Sequence, residues 1–452
     1  MGVMSKTFRA WDVDQPLLLP PSVQELVPPG HVAHFVRDTV REALDLRAIV
    51  GDYPQQRGYP PYHPVMMTAL LLYAYCQGIY SSRRIARACQ QRVDFMAVTA
   101  MQRPDFRTIS DFRKRHLKAL GSLFGQVLAL CAQAGLVKLG HVALDGTKIH
   151  ANASKHKAMS YGRMKKLEPE LAAEVARWLA EAEATDAAED EALGPQQRGD
   201  EMPQWAADKQ KRLAKIRAAM AALEAEAAQQ APAAAEQEKP SNPDQAAQKG
   251  GGGPSQPAPQ SPPDKAQRNF TDPDSRIMKD SHGLQQAYNA QAAVDADSQV
   301  IVAEGLTNAA NDRQQVVPMV AEIQKNTGRQ ARELSADSGY CSEGNLEQLQ
   351  RHGIRGYIAT GRQKHGQASA TANDANQGGT RVQAMTTRLK RGGHRSRYRL
   401  RKQTVEPVFG QIKGARGFRQ FLLRGLAKVS GEWRLICTAH NLLKLATTCT
   451  CV

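Results

Sequence analysis

Three acidic residues stand where carboxylates can hold metal ions. Asp145 follows the short apolar run 141–144, Asp337 follows the apolar run 334–336, and Glu406 lies inside a long basic segment. Taken singly, each has an ordinary structural explanation: a turn or helix cap for the aspartates, and a surface ion pair for the glutamate. Together they offer hard oxygen ligands for two Mg²⁺ ions. Two such ions can activate a water or a 3′-hydroxyl and stabilise the leaving oxygen of a phosphoryl transfer.

Glu406 lies in the most basic part of the chain. The 452 residues include 60 Lys and Arg against 44 Asp and Glu, for a formal charge of +16. Residues 388–434 contain fourteen Lys and Arg and two acids, so this segment alone carries +12. Aromatic and aliphatic residues such as Phe409 and Ile412 are interleaved with the charges, which favours a folded surface over a disordered tail. A dense block of one sign predicts a polyanionic partner, DNA or RNA.

The elements that must position these acids alternate between strands and helices. The pattern predicts a strand at 141–145, a hairpin with arms 286–295 and 299–306, a helix at 312–326, and strands at 331–336 and 355–360. This order indicates a mixed α/β layout. Ligands of open α/β sheets bind at the carboxyl ends of strands, where Asp145 and Asp337 are expected.

The first part of the chain is predicted to be helical. Helical spacing of apolar residues covers 32–44, 64–76, 81–90 and 110–134, with Ser110 as an N-cap of the last helix. Arg83, Arg84 and Arg113 belong to two short basic helices. These helices fit a DNA reader of the helix-turn-helix kind, and packing helices with solvated arginines explain them equally well.

Three motifs resemble those of bacterial insertion-sequence DDE transposases. They are Leu-Asp-Gly-Thr-Lys-Ile at 144–149, Ala-Asp-Ser-Gly-Tyr at 336–340, and Thr-Val-Glu-Pro-Val-Phe-Gly-Gln-Ile-Lys at 404–413. Residues 107–113 and 416–444 are similar to helical regions of the same family, so the resemblance covers nearly the whole chain outside 166–268. It implies a ribonuclease-H-like catalytic core preceded by an all-helical DNA-binding domain, an α/β (α+β mixed sheet) chain. It also implies that Asp145, Asp337 and Glu406 form the metal-binding triad.

The same resemblance implies a Tyr-Arg-Glu-Lys signature around the third acid. Glu406 and Lys413 keep its six-residue gap, and Pro407 predicts that Glu406 lies near the start of a helix. Tyr398 is followed at the expected spacing by Arg401, which leaves four residues before Glu406 where the signature has three. Lys402 leaves three, so either cation can fill the arginine position.

The resemblance and the charge pattern together give a full set of expectations. The domains are 1–138, a helical DNA-binding domain; 139–165 with 269–445, the catalytic domain; and 166–268, a helical insertion with a Gly/Pro-rich linker. The residues expected to contact DNA are Tyr398, Arg401, Lys402, Lys413, Arg416, Arg419, Arg83, Arg84 and Arg113. The cofactor is Mg²⁺, two ions per site, with Mn²⁺ as a substitute. The partners are double-stranded DNA, at element ends and target, and further copies of the chain in a homodimer or higher multimer.

The expected function is metal-dependent cleavage of the ends of an insertion sequence and their transfer to target DNA. A catalytically silent DNA-binding remnant that acts as a regulator, and a stand-alone ribonuclease-H-like nuclease, remain as alternatives. Other classes lack their motifs: there is no Gly-rich phosphate loop, no Cys/His zinc set and no Gly-x-Ser-x-Gly elbow. With no secretory h-region and no apolar run near the roughly 18–20 residues of a membrane span, we expect a cytoplasmic, nucleoid-associated protein.

Overall fold

The computed structural model describes residues 22–53, 60–193, 204–237, 261–280, 283–361 and 380–449. These residues form two compact units. One runs to Leu136 and resumes at Leu435, and the other comprises Val137–Arg434. Within the described ranges, no helix combines the length and the apolar character that a bilayer span requires.

The elements described in the first unit are helices whose apolar residues recur at helical spacing. They are α1 (Val32–Asp38), α2 (Arg47–Val50), α3 (Pro64–Cys76), α4 (Ser82–Gln91), α5 (Val93–Thr99), α6 (Phe106–Arg115), α7 (Leu117–Gln133) and the end of α14 (Leu426–Cys449). Every residue of α3 from Met67 to Cys76 is buried, so this helix forms the centre of the unit. The predicted helices at 64–76 and 81–90 are confirmed.

The helix predicted over 110–134 is two helices, and Ser110 is not its N-cap. Helix α6 begins four residues earlier, because the side chain of Asp105 accepts hydrogen bonds from the backbone N–H groups of Arg107 at 2.7 Å and Thr108 at 3.2 Å. A carboxylate placed ahead of the first turn is a strong N-cap, and it also complements the positive end of the helix dipole. His116 separates α6 from α7.

The second unit contains a six-stranded mixed sheet. Its strands are β1 (His141–His150), β4 (Arg276–Asp280), β5 (Gly283–Asp295), β6 (Ile301–Thr307), β7 (Glu333–Ala336) and β8 (Arg355–Ile358). The order is β4-β5-β1-β7-β8 with β6 paired to β5. The pairing of β1 is antiparallel to β5 and parallel to β7, and β7 is parallel to β8. Antiparallel strands on one side of β1 and parallel strands on the other form a ribonuclease-H-like sheet, which confirms the predicted mixed α+β core.

In the described part of this unit, several helices accompany the sheet. They are α10 (Val316–Thr327), α11 (Glu343–Arg351), α12 (Arg381–Gly392), α13 (Leu400–Gly410) and the start of α14, where the ring N–H of Trp433 donates to the carbonyl of Gln291 in β5. The helix predicted to start at residue 312 starts at Val316, so Asp312 lies in the loop that precedes α10.

The sequence segment between β1 and β4 forms a helical hairpin with its own core. Helices α8 (Tyr161–Leu193) and α9 (Gln204–Gln237) pack through buried residues that include Met164 and Ile216. The pair is longer than the predicted 166–230. The end of the predicted linker contains β3 (Gln267–Asn269), which pairs with β2 (Ala158–Ser160), and residues 238–260 lie outside the described part of the chain.

The catalytic domain is predicted to run to residue 445, whereas the second compact unit ends at Arg434. Residues from Leu435 onward belong to the first unit, where the backbone carbonyl of Ala439 accepts a bond from Cys76 and that of Asn441 from Cys131. The apolar face of the last helix therefore contributes to the helical unit. Composition alone does not reveal this, because the helix is continuous across the boundary.

Candidate active site

Asp145 and Asp337 occupy neighbouring positions on two adjacent parallel strands. The register pairs Ala143 of β1 with Ser335 of β7; Asp145 lies two residues further along β1, and Asp337 lies two residues beyond Ser335, directly after the end of β7. Adjacent strands lie roughly 4.8 Å apart. The register alone therefore brings the two carboxylates together at the carboxyl end of β7. Pairing of strands that are about 190 residues apart in the sequence therefore builds this part of the site.

Asp145 is buried, and its surroundings oppose its negative charge. Only 8% of the residue is exposed, and burial raises the pKa of its carboxyl to about 6. The guanidinium of Arg401 acts in the opposite direction, while the negative charges of Asp337 and Asp312 add to the increase. The carboxylate also accepts the backbone N–H of Gly146 at 2.9 Å. A buried acid with neighbouring acids is a common feature of catalytic centres.

Asp337 caps the turn that follows β7. Its side chain accepts the backbone N–H of Gly339 at 2.9 Å, at the start of the short 3₁₀ turn Ser338–Tyr340. The Asp-Ser-Gly-Tyr motif thus has a local structural role as well as a position at the sheet edge.

Glu406 lies on α13, and Pro407 is inside this helix, not in its first turn as predicted. Proline has no N–H, so it leaves the carbonyl of Gln403 without its helical donor. The side-chain amide of Gln299, in the turn between β5 and β6, donates to that carbonyl at 3.0 Å. Gln299 also accepts from the side chain of Gln411 at 3.4 Å, so it contacts the helix on both sides of Pro407.

Arg401 joins the first and third acids. Its Nη2 lies 2.7 Å from Oδ2 of Asp145, and its Nη1 lies 3.1 Å from Oε1 of Glu406. The next residue, Lys402, is exposed. Of the two cations that the signature left open, the structure thus brings Arg401 to the acids and leaves Lys402 at the surface.

The other two residues of the signature also lie near this centre. Tyr398 is half-buried, and burial raises the pKa of its hydroxyl, with Asp337 and Asp145 contributing to the increase. The ammonium of Lys413 donates to the hydroxyl of Thr147 at 3.1 Å and to the carbonyl of Lys148 at 3.0 Å. Lys413 therefore contacts β1 directly beyond the first acid.

Two family models match the chain. A transposase domain of the DUF772 type matches residues 21–115, and a transposase DDE domain matches residues 256–442. The chain belongs to the insertion-sequence DDE transposases. No curated protein and no solved structure matched it. The first acid of this transposase lies outside the matched DDE segment, and the pairing of β1 with β5 and β7 is what joins Asp145 to that domain.

The sequence motifs do not include a further acid, Asp312, whose charge acts on Asp145. Asp312 accepts bonds from the amides of Asn289 at 2.6 Å and Gln291 at 2.7 Å, and its charge contributes to the raised pKa of Asp145. The sequence pattern predicts Asp312 as the first residue of a helix, which in the structure begins at Val316. The available signal was a pair of amide side chains, Asn289 and Gln291, that alternate with apolar residues in the buried second half of β5.

Two of the arginines predicted to contact DNA are buried. Arg113 is 4% exposed, and its guanidinium donates to the carbonyl of Tyr80 at 2.8 Å and the hydroxyl of Tyr75 at 3.2 Å. Arg416 is 9% exposed, and its guanidinium lies 5.9 Å from the ring centre of Phe418. Their contacts with DNA stay predictions, and helical spacing of charges did not reveal that these two arginines are buried.

Other predicted contacts are accessible. Arg83, Arg84 and Arg419 are exposed. The guanidiniums of Arg83 and Arg107 lie 5.0 and 5.7 Å from the ring centre of Phe106, which is itself exposed at the start of α6. The two helices α4 and α6 thus present cations and an aromatic ring together.

The three acids offer carboxylate oxygens, which are suitable ligands for a divalent metal ion. The guanidinium of Arg401 lies between Asp145 and Glu406, so a cation can be accommodated there. Within the described ranges, no three Asp, Glu, His or Cys side chains are close enough together to share one ion. However, oxygens of Asp145 and Glu406 already converge on one guanidinium, so these two acids do face a common cation. All candidate ligands are carboxylate oxygens, the donors that Mg²⁺ and Mn²⁺ favour.

Proposed function

We propose that this transposase binds the ends of its insertion sequence, cleaves DNA strands there and joins the resulting 3′-hydroxyls to target DNA. The observation that carries the proposal is the convergence of all three acidic motifs at one edge of the sheet, with Asp145 and Glu406 on the same arginine. Residues from segments far apart in the sequence would meet there for a shared task. Asp145, Asp337 and Glu406 are the proposed catalytic residues.

Two Mg²⁺ ions, with Mn²⁺ as a substitute, would be held by these three carboxylates. When bound, such ions supply activation of the attacking oxygen and stabilisation of the leaving one. The chain's own residues position the DNA. Arg401 lies where its guanidinium can contact a phosphate once it leaves the acids, and Lys413 is held by β1 beside the first acid. The set of Tyr398, Arg401, Glu406 and Lys413 supports the proposal that the protein belongs to the Tyr-Arg-Glu-Lys branch of the family.

DNA would be held mainly through phosphates. Exposed Lys402 and Arg419 flank Glu406 in sequence, and exposed Arg83 and Arg84 form part of a second basic surface on the helical unit. Neutralising phosphates releases counterions, so binding should weaken steeply with salt. Because two DNA ends require two catalytic centres, the active form is proposed to be a homodimer or a higher multimer on DNA.

The deciding experiment uses a supercoiled plasmid that carries the element's flanking ends. Wild-type protein and Glu406→Gln are compared with Mg²⁺, with Mn²⁺ and with EDTA. Metal-dependent release and joining of the element by wild type alone supports the proposal and the third acid together. Cleavage without joined products favours a stand-alone nuclease. Binding without strand breakage by either protein favours a silent regulator.

A further inference from the structure

A further aspartate, Asp312, is bound to the sheet next to the proposed catalytic acids. One oxygen, Oδ1, accepts from Asn289 Nδ2 at 2.6 Å and from Gln291 Nε2 at 2.7 Å. The ammonium of Lys148 lies 3.7 Å from the same oxygen. These partners belong to one face of the sheet, because Gln291 is opposite Gly146 and Asn289 is opposite Lys148 in the β1–β5 register.

The two amides have no ordinary structural reason to lie where they do. Asn289 and Gln291 are fully buried in the central strand pair, where apolar side chains avoid the cost of desolvating polar groups. Their donors are instead directed at Asp312, and Gln291 also donates to Asn289 Oδ1 at 3.0 Å. Buried polar networks of this kind stabilise one arrangement when all members are satisfied.

The network reaches the first catalytic motif through a glycine. A Cβ atom at Gly146 would lie 2.4 Å from Gln291 Nε2 and 2.7 Å from Asp312 Oδ1. Both distances are shorter than any tolerated contact, so the residue after Asp145 must lack a side chain for the network to form. Gly146 also donates its N–H to the Asp145 carboxylate, so the network and the acid share this residue.

The network reaches the second motif through a tyrosine. The buried hydroxyl of Tyr340 donates to Gln291 Oε1. A Cβ atom placed on Gly339 would lie 3.1 Å from Oδ1 of Asp337 and 3.5 Å from Oδ2 of Asp312. The two carboxylates therefore lie on either side of this glycine. The motifs around Asp145 and Asp337 are thus bonded to the same amide–carboxylate cluster.

We infer that Asp312 is a positioning residue of the transposase reaction. Its carboxylate holds the ammonium of Lys148 on β1, the strand that carries Asp145. Through Asn289 and Gln291 it is also bound to β5, the partner strand of β1, and Gln291 in turn accepts the hydroxyl of Tyr340, which follows Asp337 in the second motif. The inference rests on the proposed strand cleavage. It assigns a role to a residue outside the three acidic motifs, and it explains the glycine and the tyrosine that accompany two of them.

The test is a double-mutant cycle between Asp312 and Lys148, with cleavage of plasmid-borne element ends as the readout. Asp312→Asn preserves shape and an acceptor for the amides but removes the charge that holds Lys148. We expect cleavage about 10²-fold slower, the size of effect that small misplacements cause, with end binding unchanged. Lys148→Gln should slow cleavage similarly, and the double variant should be no slower than the slower single variant. Asp208→Asn, at an exposed aspartate on α9 of the same unit, is the matched control and should cleave like wild type.

The possible failures are distinguishable. If the wild-type protein itself does not cleave the element ends, that result contradicts the proposed function and leaves the role of Asp312 undecided by this assay, so the two failures differ. If wild type and Asp312→Asn cleave at equal rates, or if the effects of the two substitutions simply multiply, the positioning role is overturned. Should Asp312→Asn not fold, as judged by circular dichroism, Lys148→Gln and Tyr340→Phe test the same network from its other ends. Wild-type rates in both of these would also overturn it.

Discussion

At the scale of single residues, the buried charge of Asp145 gives this protein a stability cost. A carboxyl whose pKa is raised by burial binds its proton more tightly when the protein is folded than when it is unfolded. The stabilising protonated form is therefore present at low pH and lost as pH rises from about 4, the unfolded value, through about 6, the folded one. Stability from this group should fall with increasing pH across that window.

The first prediction follows from this fall in stability with increasing pH. Asp145→Asn removes the ionisation, so it should raise the free energy of unfolding at pH 7.5 by roughly 1–3 kcal/mol. The gain should shrink towards pH 4, where the wild-type acid is already neutral. Thermal unfolding of both proteins at pH 4, 5, 6 and 7.5 measures the difference. A gain that is independent of pH would contradict this account of Asp145.

The second prediction separates two adjacent cations. Arg401 contacts two of the acids and Lys402 is exposed, although the sequence signature fits either. Arg401→Met should lower the rate of end cleavage by about 10²-fold or more, because a charge beside the reacting centre is lost. Lys402→Met is the matched control and should change the rate less than about threefold, the effect of a screened surface charge. Equal losses in both variants would remove the distinction.

At the scale of elements, the helix that carries Glu406 depends on a hydrogen bond from the turn between β5 and β6. Gln299 adopts φ of 61°, unusual for a residue other than glycine, and its amide supplies the donor that Pro407 lacks. The turn between β5 and β6 therefore stabilises the helix that carries Glu406. Asp295 supports the same turn by accepting the backbone N–H of Asp297 at 3.0 Å.

The third prediction is a cycle between these two positions. Gln299→Ala should cost about 1 kcal/mol of stability, the net value of one hydrogen bond, and should slow cleavage by moving Glu406. In a Pro407→Ala background the helix regains its own donor to the Gln403 carbonyl, so the same substitution should cost less than half as much. Urea unfolding of the four proteins checks this. Equal costs in both backgrounds would mean that Gln299 does not compensate for the proline.

The elements themselves were largely predictable, while their contacts were not. Period-two and period-3.6 patterns predicted β1, the β5–β6 hairpin, β7, β8 and most helices, because those patterns follow from which face is buried. The sequence also predicted the three acids through their motifs. It did not predict Asp312, the buried role of Arg113 or the position of Pro407 within its helix. Each of these depends on a partner far away in the sequence, which local spacing cannot identify.

At the scale of the whole molecule, positive charge is concentrated where the acids are. The segment 388–434 carries +12 of the +16, and it contains the signature residues as well as exposed arginines on either side of them. The second acid of that segment, Glu432, is buried and accepts backbone N–H groups of Leu422 and Leu423 at 3.0 and 2.9 Å. Glu406 is thus the acid of this segment that remains available beside a basic surface.

The last prediction concerns how that surface binds DNA. Each phosphate neutralised by a protein cation contributes about 0.9 to the slope of log K against log salt concentration. Replacing exposed Arg391 and Arg395 by Gln should therefore reduce the slope by up to about 2, and it should weaken binding to all duplexes alike, because phosphate contacts carry no sequence information. Lys325→Gln and Arg351→Gln, at exposed cations outside the segment that pair with acids on their own helices, are the controls. Fluorescence anisotropy from 50 to 400 mM KCl measures the slopes.

If the control pair lowers the slope as much as the test pair, net charge and not this surface governs binding. If neither pair lowers it, phosphates are held elsewhere, and the exposed arginines of α4 become the next residues to replace.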